Sequence, residues 1–312
     1  MVSSDWADLI TAVLAGAVRR GAPLAYAAIG EAVSERSGVM NLGVEGMMLV
    51  GAMSAAGLGI ATGNPWLAVL GGGLVAMCLA ALHALFVVYM GANQIVSGFA
   101  LTILGGGLSG FFGRPFVGVK FEGFSVVPIP FLSSVPLFGQ VFFQHDVLTY
   151  ASVPAAAAIW FLIYRTRFGL RIRAAGEAPD VAYAVGVKPL RIRFLAVLIG
   201  GFLAGVGGAH LSIAYTHLWA EQMTAGQGWI AIGLVIVAGL RPQLCVPVAW
   251  LFGGLAVLQA YLQAIGIGIS PYLVAMFPYG MSVIALTAAT IFQGRAGYGL
   301  PAALGKPFRA GA

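Results

Sequence analysis

Residues able to act as acids, bases or metal ligands are few in this chain: ten carboxylates, four histidines and two cysteines among 312 residues. The histidines (His83, His145, His210 and His217) are scattered, and Cys78 and Cys245 fall in or beside apolar runs, where cysteine is an ordinary small core residue. Neither His-Glu-x-x-His nor Gly-x-Ser-x-Gly occurs, so nothing pairs a nucleophile with a base. A phosphate-binding P-loop is missing too: Gly305-Lys306 is followed by Pro307, and Leu300 stands where the first glycine is required. The expectation is a protein that catalyses nothing itself, binds no cofactor or metal, and draws energy from an ion gradient or a partner.

The polar positions inside apolar sequence carry more information. Glu45 lies four residues into an apolar run, where an unpaired carboxylate is costly. It reads either as a pore or gate residue paired with Arg36, or as a carboxylate favoured by the positive end of its own helix. Glu31 and Glu35 stand four apart, on one helix face; with Arg36 beside them they read as a solvated cytoplasmic cluster. Asn93, Gln94 and Ser97 form a polar start to another apolar run, as a helix cap or as contacts to a polar solute, and the cap is favoured. His210, inside an apolar run, is expected to hydrogen-bond within a helix bundle. Trp219 and Trp229 read as interfacial anchors.

The elements that must position these residues are membrane helices. The chain is 60% hydrophobic and 8% charged, against roughly 25% charged in a soluble domain. The apolar runs are continuous and do not alternate, which disfavours a β-barrel. The reading is an all-α polytopic membrane protein with about nine crossings, near residues 9–30, 42–62, 66–90, 95–113, 147–164, 194–216, 228–240, 244–265 and 271–292. The first is weak, because Arg19 and Arg20 interrupt it. The sixth holds Gly201xxxGly205, a close-packing pattern. Residues 114–146, broken by Pro115, Pro128, Pro130 and Pro136, read as an extracytoplasmic loop. The polar helix starts at 41–46 and 224–228, one entering from each side, suit an inverted repeat.

Residues 165–193 form the one long polar segment with helical character, and its two ends carry seven basic residues: Arg165, Arg167, Arg171, Arg173, Lys188, Arg191 and Arg193. Placing this loop in the cytoplasm puts twelve basic residues inside and two, Arg114 and Lys120, outside, with Arg19 and Arg20 unassigned. The net charge of +6 therefore reports topology rather than nucleic-acid binding. The loop is either a topology-fixing basic segment or a docking surface for a cytoplasmic partner.

Residues 31–52, EAVSERSGVMNLGVEGMMLVGA, closely resemble the N-terminal signature of permease subunits of bacterial ABC importers, in the nucleoside-uptake branch of the ribose and branched-chain amino-acid permease superfamily. GANQIVSG at 91–98, AAGEAPD at 174–180 and GQGWIAIG at 226–233 resemble the same branch, and the likeness runs through essentially the whole chain in the same order. The resemblance implies one transmembrane permease domain, 1–312, in a bacterial inner membrane. It implies a coupling segment at 176–186, with Gly176, Glu177, Ala178, Pro179, Asp180, Tyr183 and Gly186 meeting a cytoplasmic ATPase that holds the ATP and Mg. A second, related permease, membrane lipid and an extracytoplasmic solute-binding lipoprotein complete the expected partners; nucleic acid is not among them. The solute path is expected to involve Asn41, Glu45, Asn93, Gln94 and Ser97.

Two other readings stand beside this one. A permease of the same superfamily for ribose or another simple sugar differs only in solute. An ion-coupled secondary carrier would favour acidic groups at mid-bilayer, whereas the acidic groups here lie near the ends of the runs. A structural scaffold fits poorly with so elaborate a cytoplasmic loop.

Overall fold

The computed structural model describes residues 2–264 and 300–308, with scattered helical positions between 273 and 291. The apolar runs become helices because backbone inside hydrocarbon must satisfy its own N–H and C=O groups. In order these are α1 (Val2–Arg36), α2 (Val44–Thr62), α3 (Pro65–Ala84), α4 (Gln94–Gly113), α5 (Phe138–Phe142), α6 (Val147–Arg165), α7 (Arg167–Glu177), α8 (Pro179–Ala184), α9 (Pro189–His210), α10 (Gln227–Val237) and α11 (Pro242–Ala264). α3 and α9 continue as π-helical stretches, Leu85–Tyr89 and Leu211–Thr216. Among the described residues six helices are long and apolar enough to cross a membrane: α2, α3, α4, α6, α9 and α11. α10, at 11 residues, spans only part of that thickness. The expected crossing at 271–292 falls almost wholly outside the described residues.

α1 replaces the expected weak or interrupted crossing with one continuous 35-residue helix. Its Arg19 is accommodated because Nη2 donates to the carbonyls of Ala214 and Tyr215, at 3.4 and 3.3 Å, and the guanidinium lies 5.1 Å from the centre of the Tyr215 ring. Those carbonyls belong to the last turn of a helix, which carries unsatisfied acceptors and partial negative charge.

The contacts gather the connections at two ends of the bundle. One end gathers residues 36–38, 175–176, 193, 239–240 and 303–306 through mutual hydrogen bonds. The other end gathers the 114–146 connection, Trp66 and residues 213–219: Phe121 N and Phe124 N donate to His217 O and Ile213 O, and Trp66 meets Phe124 edge-on. The 114–146 connection also holds structure that its prolines obscure, an antiparallel pair of β1 (Val126–Pro128) and β2 (Gln144–Asp146) with Val127 opposite His145. Asp146 caps α6 through Thr149 N at 2.9 Å, and the Thr149 hydroxyl reaches His210 Nε2 at 3.0 Å, the bundle contact expected of that histidine. Trp219 is not an interfacial anchor. It is buried beneath Gly113 among Phe116, Phe121 and Met223, because the chain folds back inward after α9.

α9 is the central helix, packed against α1, α2, α3 and α7. The Gly201xxxGly205 stripe faces α3: a Cβ on Gly201 would lie 2.1 Å from Ala80 Cβ, and one on Gly205 2.4 Å from Ala76 Cβ and 2.7 Å from Gly72 O. No hydrophobic force drives helices together in lipid, so this close approach is itself the stabilising contact. Gly205→Val is therefore expected to cost ~2–3 kcal/mol by overpacking, seen as a lower midpoint of thermal unfolding in detergent. An unchanged midpoint would show that the α3–α9 contact relaxes freely.

Candidate functional site

The most elaborate polar arrangement lies where two helix starts meet. Glu45 stands in the first turn of α2, 5% exposed. Its carboxylate does not pair with Arg36. It accepts from the Thr224 hydroxyl at 2.5 Å, Gly226 N at 2.9 Å and Gly228 N at 2.6 Å. Those groups open α10, whose N-cap, Gly226 at φ 84°, supplies no side-chain cap. Glu45 thus caps a helix other than its own and sets a negative charge against the positive end of α10. Gly228 permits this, because a Cβ there would lie 2.5 Å from Glu45 Cα. Arg36 serves the opposite end of the same helix: Nε and Nη2 donate to Leu240 O and Gly239 O, at 3.1 and 3.2 Å.

The connection between α1 and α2, residues 37–43, is held on every side. Met40 N donates to Gln94 Oε1 at 2.7 Å, and Met40 O lies 3.2 Å from His83 Nε2, whose Nδ1 is 3.0 Å from Ser97 Oγ. Asn41 is fully buried: its N donates to Glu31 Oε1 at 2.8 Å, and its Oδ1 accepts from Gly43 N at 3.1 Å. Asn93 is exposed and caps α4, accepting from Ile95 N and Val96 N. Glu31 and Glu35 are not a solvated cluster. Each is 1% exposed, because the last turns of α1 are enclosed by neighbouring helices and not by water. One Glu31 oxygen and both Glu35 oxygens lack a hydrogen-bond partner among the described residues.

A cavity of about 510 Å³ opens beside Glu45, bounded by α2, α4 and the start of α10, with Thr102, Gln222 and Trp229 on its walls. Trp229 is half-buried, lies tilted against Phe99 at 4.8 Å between ring centres and walls the cavity. Polar groups and aromatic faces together suit a neutral, partly apolar solute. Of the residues singled out for the solute path, the structure puts Glu45 on this wall, Asn41, Gln94 and Ser97 around the 37–43 connection, and Asn93 at a second, largely apolar cavity between α3 and α4. Thr224, Gly228 and His83 escaped sequence reasoning as site residues. The Gly-Gln-Gly at 226–228 was the available signal for the first two; His83 had none.

At the end that gathers residues 36–38 and 303–306 the basic segment folds as α7, a one-residue break and α8. Thr166 caps α7 through Gly169 N, and Pro179 occupies the first turn of α8, where its missing N–H costs nothing. Only Ala182 of α8 is buried; Glu177, Asp180 and Tyr183 are exposed, and Gly186 ends the segment at φ 86°. Gly176 is buried against the backbone of Arg36 and Gly38, with no room for a Cβ. The chain from Ala302 to Phe308 lies alongside, enclosing a groove with Glu177 and Asp180 and packing Phe308 on Tyr183 at 5.9 Å.

Against known proteins, residues 13–286 match the family described as "Branched-chain amino acid transport system / permease component". The chain is 43% identical, over 83% of its own length and 80% of the relative's, to TsgC13 of Haloferax volcanii, named provisionally as a glucose ABC transporter permease. It is 32% identical to the nucleoside ABC transporter permease NupC of Lactococcus lactis, over 88% and 90% of the two chains. It is 30% identical to the guanosine ABC transporter permease NupQ of Bacillus subtilis, over 97% and 98%.

Proposed function

Because this chain belongs to the family of ABC permease components of the branched-chain amino acid transport type, we propose that it forms the translocation path for nucleosides in an ABC importer, driven by ATP hydrolysis in a separate subunit. The observation that carries a transport role is the cavity at Glu45. A polar wall at the junction of two helix starts, inside a multi-pass membrane protein, is where a path for a polar solute is expected. The nucleoside assignment is supported by the likeness to NupC and NupQ over nearly the whole of each chain. The likeness to TsgC13 favours a second reading, a simple sugar as solute.

In this reading Glu45 holds the wall of the path. Asn41, Gln94 and Ser97 set the connection leading to it, and Asn93 fixes the start of α4. Gly176, Glu177, Ala178, Pro179, Asp180, Tyr183 and Gly186 form the surface that meets the ATPase, which binds the ATP and Mg. A related second permease covers the apolar face of α4, where Ile95, Val96, Phe99 and Ile103 are exposed beside the cavity. A solute-binding lipoprotein delivers from the outer side. The meeting of 41–46 and 224–228 at Glu45 supports an inverted pairing of two halves, with 271–292 as a ninth crossing.

The test is uptake of labelled adenosine, guanosine and uridine in cells with and without the gene, with glucose, ribose and leucine alongside. Loss of nucleoside uptake alone is the expected result. Loss of glucose or ribose uptake alone would replace the solute and keep the transporter class.

A further inference from the structure

Arg193 is 2% exposed in the second turn of α9. It meets no carboxylate at ion-pair distance among the described residues. Its guanidinium instead joins three separate pieces of backbone: Nε donates to Ser37 O at 3.1 Å, Nη2 to Ala175 O at 3.1 Å and Nη1 to Lys306 O at 3.0 Å. Ser37 directly follows α1, and Ala175 lies in the last turn of α7. Two helix C-termini therefore converge on one buried cation, and their partial negative charge, with the nearby Asp180 carboxylate, compensates it. Backbone packing closes the same joint, since Gly176 abuts Arg36 and Gly38, and Ala303 N donates to Gly176 O.

From this joint two routes lead to Glu45. The first follows the 37–43 connection, pinned by Gln94, His83 and Glu31, directly into α2. The second follows Arg36 to the end of α10 and along that helix to Gly226 and Gly228. The first is continuous chain held by side-chain hydrogen bonds, the second passes through the Arg36 guanidinium and the Glu45 carboxylate, and both begin at residues 36–38, which pack on Gly176 at the end of α7.

We propose that Arg193 is a positioning residue that makes α7–α8, the end of α1 and the tail at 303–306 one rigid body, so that displacement of α8 is delivered to the two helix starts at Glu45. This rests on the reading above that α8 meets an ATPase. It differs from that reading in naming the residue and the two routes by which motion reaches the path.

The test is the number of solute molecules moved per ATP hydrolysed, measured with labelled adenosine, and with glucose in parallel, for the complete complex in proteoliposomes. Arg193→Gln is expected to leave assembly intact and ATP hydrolysis within about twofold, while the ratio falls at least tenfold; Arg193→Lys is expected to recover part of it. A ratio unchanged in Arg193→Gln, or transport and hydrolysis falling in proportion, would overturn the proposal. Should Arg193→Gln fail to assemble, Ser37→Cys with Ala175→Cys, in a background lacking Cys78 and Cys245, decides the matter. A rigid joint tolerates the cross-link and keeps transport; loss of transport on oxidation, restored by reduction, would show that the joint must open. An unaltered complex that moves neither solute with ATP would overturn the permease reading itself, and the relay with it.

Discussion

Glu45→Ala is expected to abolish uptake and to destabilise the protein by ~3–5 kcal/mol, the summed cost of leaving three hydrogen-bond donors without their acceptor. The carboxylate is the common acceptor for the Thr224 hydroxyl and the N–H groups of Gly226 and Gly228. Without it two backbone donors at the start of α10 lose their acceptor, and that of the buried Gly228 is left unsatisfied away from water; each such group costs about 1–3 kcal/mol. α10 is only 11 residues long and has no side-chain cap of its own, so little else holds its first turn. Glu45→Gln separates capping from charge. It retains one acceptor oxygen but brings an NH2 group against N–H donors, so it is expected to fall between wild type and Ala, near ~2 kcal/mol. Thermal unfolding in detergent gives the stability arm and uptake in cells the functional one. If Glu45→Ala lost transport with an unchanged unfolding midpoint, the carboxylate would act on the solute and not on the α2–α10 junction. If both were retained, neither role would survive.

Sequence reading reached the membrane helices and the Gly201xxxGly205 packing stripe because each rests on local evidence: run length and a four-residue spacing. It did not reach what those helices do to one another. Arg19 looks like an interruption until the carbonyls 195 and 196 residues away are in view. Glu45 had two local explanations, and its actual partners lie 179 to 183 residues along the chain. Glu31 and Glu35 share a helix face in any account, but whether that face meets water or other helices is decided only by how α1 is surrounded. Trp219 shows the same limit. Tryptophan suits a membrane edge on average, yet the fold-back after α9 buries this one. The resemblance at 31–52 spans the whole connection between α1 and α2, but it carried no information about His83 or Arg193.

Glu177→Arg combined with Asp180→Arg is expected to cut uptake at least tenfold while the protein still inserts and unfolds at a normal temperature. Both side chains are exposed. The stability cost is the loss of the acidic group at the start of α8, ~0.3–1 kcal/mol, together with the loss of the attraction between Asp180 and the buried Arg193. The functional cost is larger for an electrostatic reason. Within 165–193 these are the only two acidic residues among seven basic ones, so they are what distinguishes the tip of the segment from its flanks. Each reversal changes the charge by two, and a partner surface selected for an acidic tip then meets a uniformly basic one; like charges brought together cost several kcal/mol in a desolvated contact. The measurement is co-purification of the ATPase with the mutated permease, followed by uptake. Reversing Arg171 and Arg191 to Glu provides the contrast: they belong to the basic flanks, so a weaker loss is expected. Normal uptake by the Glu177→Arg, Asp180→Arg protein would mean that α8 is not the contact. An equal loss from the flanking reversals would mean that net charge, and not the acidic tip, governs docking.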